Sequence, residues 1–149
     1  MRKGLSVEEL GDLLERPFNA TLATYRRDGT VLLSPVWHEW HDGGFSIITG
    51  TNDVKLRHIE RRSWAAAVVS DNDLPFRGIE VSGVPTVERD LEFARETLER
   101  IAIRYLGEKH GRGYVARSSD DMVVVRLVPG HLRTWDFADD VALFGGTTE

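Results

Sequence analysis

The sequence predicts a mainly β, α+β fold, an antiparallel barrel of about six or seven strands with a few helices at its ends. Three observations carry that expectation. Short apolar runs recur between turn signals at Asp28-Gly29, Asp42-Gly43-Gly44 and Pro129-Gly130, the residue types that tight reversals of an extended chain require. Helical patterns interrupt these runs at a few places and do not alternate with each of them, which a doubly wound parallel sheet would need. The G-x-G pattern at Gly111-Arg112-Gly113 does not follow a strand, so the dinucleotide fingerprint is missing.

In chain order, Ser6 to Glu9 has the spacing of a capping box, and Leu10, Leu13 and Leu14 follow at helical intervals until Pro17. A short amphipathic helix is expected there. Asn19 to Tyr25 and the strand starting at Thr30 should pair as a hairpin across Arg26-Arg27-Asp28-Gly29. Thr30 to Trp40 alternates with a period of two, and Pro35 inside it, lacking an N–H for a ladder, places that strand at an edge or a bulge. After the Asp42-Gly43-Gly44 turn, Phe45 to Thr49 is a second apolar strand. Gly50-Thr51-Asn52 then opens a short basic helix with Thr51 or Asn52 as its cap and Lys55 in its first turn. Trp64 to Ser70 reads as a buried strand, and Phe76 to Arg89 as a long half-exposed strand bent near Gly83 or Pro85. Asp90 caps a helix whose apolar positions Leu91, Ala94, Leu98, Ile101, Ala102 and Tyr105 recur at three and four, with Gly107 as its stop. Glu108 to Asp121, charged and glycine-bearing, reads as a loop with one helical turn. Met122 to Val128 and His131 to Phe137 are the final strands.

The 149 residues suit a single domain, 1–149, with its own core. Without cysteine, disulfides, thiolate metal sites and a cysteine nucleophile are excluded. The N-terminal residues lack the apolar stretch of a signal peptide and no later run approaches a membrane span, so a soluble, cytoplasmic protein with no membrane contact is expected. A net charge of −5 speaks against a nucleic-acid partner. The segment His38-Glu39-Trp40-His41 has histidines three apart, which face opposite ways on a strand, so no metal site is read there. Neither a G-x-S-x-G elbow nor a phosphate loop with its lysine is found.

The positive chemistry gathers between Thr30 and Arg62. A helix start offers unpaired N–H groups, and Thr51 with Lys55 adds a hydroxyl and an ammonium that can hold a phosphate. The competing reading of Lys55, Arg57, Arg61 and Arg62 is a solvated face partnered by Asp53 and Glu60. With aromatic residues nearby and no protein nucleophile, the chemistry falls to a bound cofactor that the chain positions. Trp37, Trp40, Trp64 and Trp135 are otherwise core or subunit-contact residues, the preferred reading for Trp64.

Between about Asn19 and Glu88 the sequence resembles a family. ATLATYRRDGT, SPVWHEWHDGGFSIITGT, KLRHIERR and FRGIEVSGVPTVERD are similar to the flavin- and deazaflavin-dependent oxidoreductases of the pyridoxamine 5′-phosphate oxidase-like split β-barrel type. The resemblance implies an FMN-binding-type split barrel and a homodimer with two cofactor sites at the subunit interface. It places the cofactor ring against Ser34, Pro35, Val36 and Trp37, and its phosphate near Thr49, Gly50, Thr51 and Lys55. Phe76, Arg77 and Trp135 would complete the site from the neighbouring subunit. The PVW segment looks most like the branch that uses the deazaflavin coenzyme F420 and transfers a hydride between reduced coenzyme and a small unsaturated substrate. Asp53-Val54 and Arg62-Ser63 depart from the family's pattern, which keeps FMN as the alternative cofactor and a non-catalytic binding protein as the alternative role. No residue stands out as the catalytic acid or base.

Overall fold

In the computed structural model, which describes residues 1–144, turn chemistry closes the expected hairpins. The chain runs β1 (Arg2–Lys3), a 3-10 turn (Glu8–Leu10), β2 (Ala20–Tyr25), β3 (Val31–Val36), β4 (Glu39–His41), β5 (Gly44–Gly50) and α1 (Val54–Arg61). Then come β6 (Ala65–Ser70), β7 (Gly78–Gly83), β8 (Thr86–Glu88), α2 (Leu91–Leu106), α3 (Glu108–Arg117), β9 (Met122–Leu127), β10 (His131–Asp136) and α4 (Ala138–Phe144). Asp28 accepts from both the backbone N–H and the hydroxyl of Thr30, and β2 pairs with β3 from Ala20↔Val36 to Tyr25↔Val31. Asp42 and Gly43 both take positive φ (48° and 70°), the two-residue reversal whose twist suits antiparallel strands, and it joins β4 to β5.

The strands form two antiparallel sheets, in the order β1-β10-β7-β6-β2-β3 and β4-β5-β9-β8. This is the split barrel. Among the described residues ten strands replace the expected six or seven, because β1 adds one and two long runs divide where the chain changes sheet. Thr30 to Trp40 breaks after Val36, and Phe76 to Arg89 breaks at Val84-Pro85. Pro35 lies on β3, an edge strand, where its missing N–H leaves no ladder bond unmade.

Phe45, Ile47, Leu22, Ala67, Ile79, Val81 and Leu127 fill the space between the sheets, joined by Leu10, Leu13 and Leu14 from the N-terminal region. Those leucines arrive by turns and not by the expected helix, because Gly11 takes φ +65° and its N–H bonds back to Glu8 after one 3-10 turn. A second core lies on the other face of β5 and β9, where Ala94, Leu98 and Ala102 of α2 and Val115 of α3 meet Met122, Val124 and Ile48. With both faces covered, β9 is apolar almost throughout.

The Glu108 to Asp121 stretch is the main correction: Glu108–Arg117 is the helix α3. Glycine lowers helix propensity, which is why the segment reads as a loop. At Gly111, however, a Cβ would fall 2.6 Å from the backbone of Ile103, so glycine is what lets α3 lie directly on α2. No helix among the described residues is long and apolar enough to cross a membrane.

Candidate functional site

The passage from β3 to β4 is held open by aromatic packing. Trp37 stacks on Tyr105 of α2, with ring centroids 4.9 Å apart and planes 9° off parallel, and meets Tyr114 of α3 at 5.3 Å. The Tyr105 hydroxyl donates to Phe18 O at 2.6 Å and accepts from the His38 N–H at 3.2 Å, while the Arg104 guanidinium donates to His38 O. These bonds satisfy the backbone exposed by the change of sheet and fix the plane of the Trp37 ring.

A cavity of about 300 Å³ opens beside it. The sheet passage contributes Val36 and Trp37, β5 contributes Ile48, Thr49 and Gly50, and the start of α1 contributes Asp53 and Lys55. Leu98 and Ile101 of α2 with Tyr114 of α3 form the remaining wall. Thr49 is 5% exposed and its hydroxyl has no hydrogen-bond partner. A buried hydroxyl in that state costs on the order of 1–3 kcal/mol.

The start of α1 differs from the expected one. Asp53 is the cap, not Thr51 or Asn52: one carboxylate oxygen accepts from the Lys55 N–H at 2.8 Å and the other from the Lys55 ammonium at 3.0 Å. Burial pushes the Asp53 pKa up, but the N–H and ammonium of Lys55 outweigh it and hold the group below the ordinary carboxylate value. Asp53 is therefore an ionised acceptor, and it does not pair with Arg57, which folds back onto Asn52 O. Aspartate is as good a cap as asparagine, so this signal was present in the sequence.

Of the residues assigned from the sequence, Val36, Trp37, Thr49, Gly50 and Lys55 converge on the cavity. Ser34 and Pro35 lie on β3 opposite Leu22 and Thr21 of β2, outside the lining. Thr51 sits beside the lining with its N–H bonded to Asp121 O. Phe76, Arg77 and Trp135 belong to the other sheet and its flanking loop. Arg77 clamps that loop to the N-terminal turn through Leu10 O, Asp12 and Asp71. Phe76 takes φ +58° and meets Phe137 edge to face, and Trp135 lies over Gly78, where only a residue without Cβ fits. Ile48, Asp53, Leu98, Ile101 and Tyr114 were missed, the last three because only the packing of α2 and α3 brings them there.

The family model for pyridoxamine 5′-phosphate oxidase matches residues 6–136. A search of the curated proteins finds no match. Among solved structures, the conserved hypothetical protein Rv2991 from Mycobacterium tuberculosis superposes with a TM-score of 0.81 at 23% identity, over 98% of this chain and 91% of that one. An F420 reductase superposes with a TM-score of 0.65 at 28% identity, over 81% of this chain and 93% of that one. The FAD and heme binding protein from Mycobacterium smegmatis gives 0.68 at 20% identity, over 99% and 82%. The two below 25% identity share the fold. With its split barrel and a family match running from the N-terminal turn to the last strand, this chain belongs to the pyridoxamine 5′-phosphate oxidase family.

Proposed function

We propose that the protein is an oxidoreductase that binds the deazaflavin coenzyme F420 in the Trp37–Thr49–Lys55 cavity and transfers a hydride between the reduced coenzyme and a small unsaturated organic substrate. The observation that carries this reading is the cavity lining itself, which brings Lys55 at the start of α1 and Thr49 at the end of β5 together with the Trp37 ring. That donor set fits an anionic cofactor with a flat ring. The likeness to an F420 reductase at 28% identity supports the choice of coenzyme.

The coenzyme, when bound, supplies the hydride chemistry. The chain supplies geometry. Thr49 and Lys55 hold the phosphate, and backbone groups at Val36-Trp37 and the rings of Trp37 and Tyr114 orient the flat system. Leu98 and Ile101 keep that side of the cavity dry. Asp53 and Lys55 are the lining side chains charged at neutral pH, and they hold each other, so the proton that accompanies reduction comes from solvent.

The working unit in this proposal is a homodimer. β3 is an open edge with Leu33 65% exposed, which supports a second copy covering it; the family resemblance would then bring Phe76 and Trp135 of that copy to the cavity, while Arg77 is held within its own chain. The test is titration with F420 and with FMN, followed by anaerobic mixing of enzymatically reduced F420 with the protein and a panel of quinones and enones. Binding and substrate-dependent reoxidation of F420 are expected. Tight binding of FMN alone would move the assignment to a flavoprotein, and binding of neither would leave a non-catalytic role.

A further inference from the structure

Asp53 and Glu60, the expected partners of the basic helix, are engaged elsewhere: Asp53 holds Lys55, and Glu60 pairs with Arg89. Asp28, in the turn between β2 and β3, is taken up by the N–H and hydroxyl of Thr30. Arg26, Arg27, Arg57, Arg61 and Arg62 are all exposed, and among the described residues none of the five forms an ion pair, whereas eight other arginines do. The unpaired five share one patch. Arg61 Nη2 donates to Tyr25 O at 3.2 Å, the Arg62 guanidinium lies 3.7 Å from the centre of the Tyr25 ring, and Arg26, next along the chain, donates to Val31 O at 3.0 Å. Arg57 donates to Asn52 O at 2.8 Å. Buried His58, bonded to Thr24, is pushed below its ordinary pKa by burial and then by the Arg61, Arg26 and Arg57 charges, so a single imidazole feels three of these guanidiniums.

These anchors hold the side chains in place without neutralising them. A carbonyl or an aromatic face takes one edge of a guanidinium and leaves other N–H donors open, so part of the ordering that an incoming carboxylate would impose is already present in the free protein. The dipole of α1 accounts for cations at its last turn, but Arg57 lies in the first turn, where that field is unfavourable. The chain carries −5 overall and the five arginines +5, so the remainder stands at −10. An extended polyanion such as nucleic acid would run off the patch into that repulsive field, whereas a short acidic segment ends within it. We propose that this patch docks a partner protein through a segment dense in Asp and Glu. The helix that carries Arg57 and Arg61 also lines the cavity at its start and is about 12 Å long, so the docked partner sits beside the cavity. This holds whichever cofactor fills that cavity.

The probe is a short fluorescently labelled peptide of alternating Glu and Ser, titrated with the full chain and read by anisotropy, beside a labelled oligothymidylate of equal charge and vesicles containing phosphatidylserine. The peptide should bind at about 0.01 M salt and weaken about tenfold or more by about 0.15 M, as the screening length falls from about 30 to about 8 Å. Arg57→Gln and Arg61→Gln should each weaken it about threefold, the scale of one exposed charge contact. Arg27→Glu, in the exposed turn where folding is least at risk, should weaken it by at least as much. Arg112→Gln, which makes the same change in net charge away from the patch, should leave it unchanged. Absence of peptide binding at low salt overturns the proposal, as does equal weakening by Arg112→Gln and the patch variants, which would reduce the attraction to net charge. Tighter binding of the oligothymidylate or of the vesicles overturns the choice of an acidic protein as partner.

Discussion

Replacing Thr49 with valine should stabilise the unliganded protein and weaken ligand binding, two effects of opposite sign from one atom. Thr49 lies on β5 opposite Val123 of β9, is 5% exposed, and has an unbonded hydroxyl. Valine keeps the β-branched shape that a strand favours and removes the unsatisfied group. The gain should be about 1–2 kcal/mol, which for a chain of this length raises Tm by roughly 2–8 °C. In the complex the same change deletes a hydrogen bond to a charged phosphate, worth about 1.5–3 kcal/mol, or roughly a 10- to 150-fold rise in Kd. Thermal unfolding of the cofactor-free protein and fluorescence titration of parent and variant give both numbers. A variant that is less stable and binds as well as the parent would refute the reasoning, because the hydroxyl would then have a structural partner and no ligand.

Three further outcomes follow from the same geometry. Burial, with the Arg104 charge next in effect, lowers the His38 pKa from 6.5 to about 4. The unfolded chain takes up that proton below about pH 6.5 and the folded chain does not until about 4, so stability is complete above the unfolded value and falls by about 3 kcal/mol as pH drops through the window. His58, also lowered by burial and then by Arg61, acts in the same direction. His38→Gln should therefore flatten part of the loss seen by urea unfolding between about pH 7 and pH 4.5, and identical slopes would contradict it. Lys55→Ala removes the cavity's cation and leaves Asp53 facing the ligand alone, so F420 affinity should fall by about 1.5–3 kcal/mol in a titration, and unchanged affinity in a folded variant would exclude the contact. Gly111→Ala forces a Cβ against the Ile103 backbone, so α3 must move off α2; a loss of about 1–3 kcal/mol with weaker ligand binding through Tyr114 is expected, and a neutral variant would count against the packing.

What could be read from the sequence was what local chemistry decides. Asp28-Gly29 and Asp42-Gly43 announce reversals because few other pairs tolerate the required φ values, and α2 announces itself through the Asp90 cap, its apolar period and Gly107. Events decided at a distance were hidden. The alternation through Trp37 and His38 continues unbroken in the sequence although the chain there leaves one sheet for the other, since the reason for leaving is the hold of Tyr105 and Arg104, more than sixty residues away. Gly111 argued for a loop by propensity and is required by a helix crossing. The site divided along the same line. Val36, Trp37, Thr49, Gly50 and Lys55 lie within one short stretch and came with the family resemblance, whereas Leu98, Ile101 and Tyr114 enter only once α2 and α3 are folded onto β5 and β9.

The claim that this cavity is the cofactor site is tested most directly by nuclear magnetic resonance mapping of a titration with F420. The account predicts the largest shifts at the Trp37 indole N–H, at the backbone of Val36, Thr49 and Gly50, at the Lys55 side chain and at Tyr114, with the Asp42-Gly43 turn at the far end of β5 unmoved. Shifts centred elsewhere, with Thr49 and Lys55 unaffected at saturation, would contradict it.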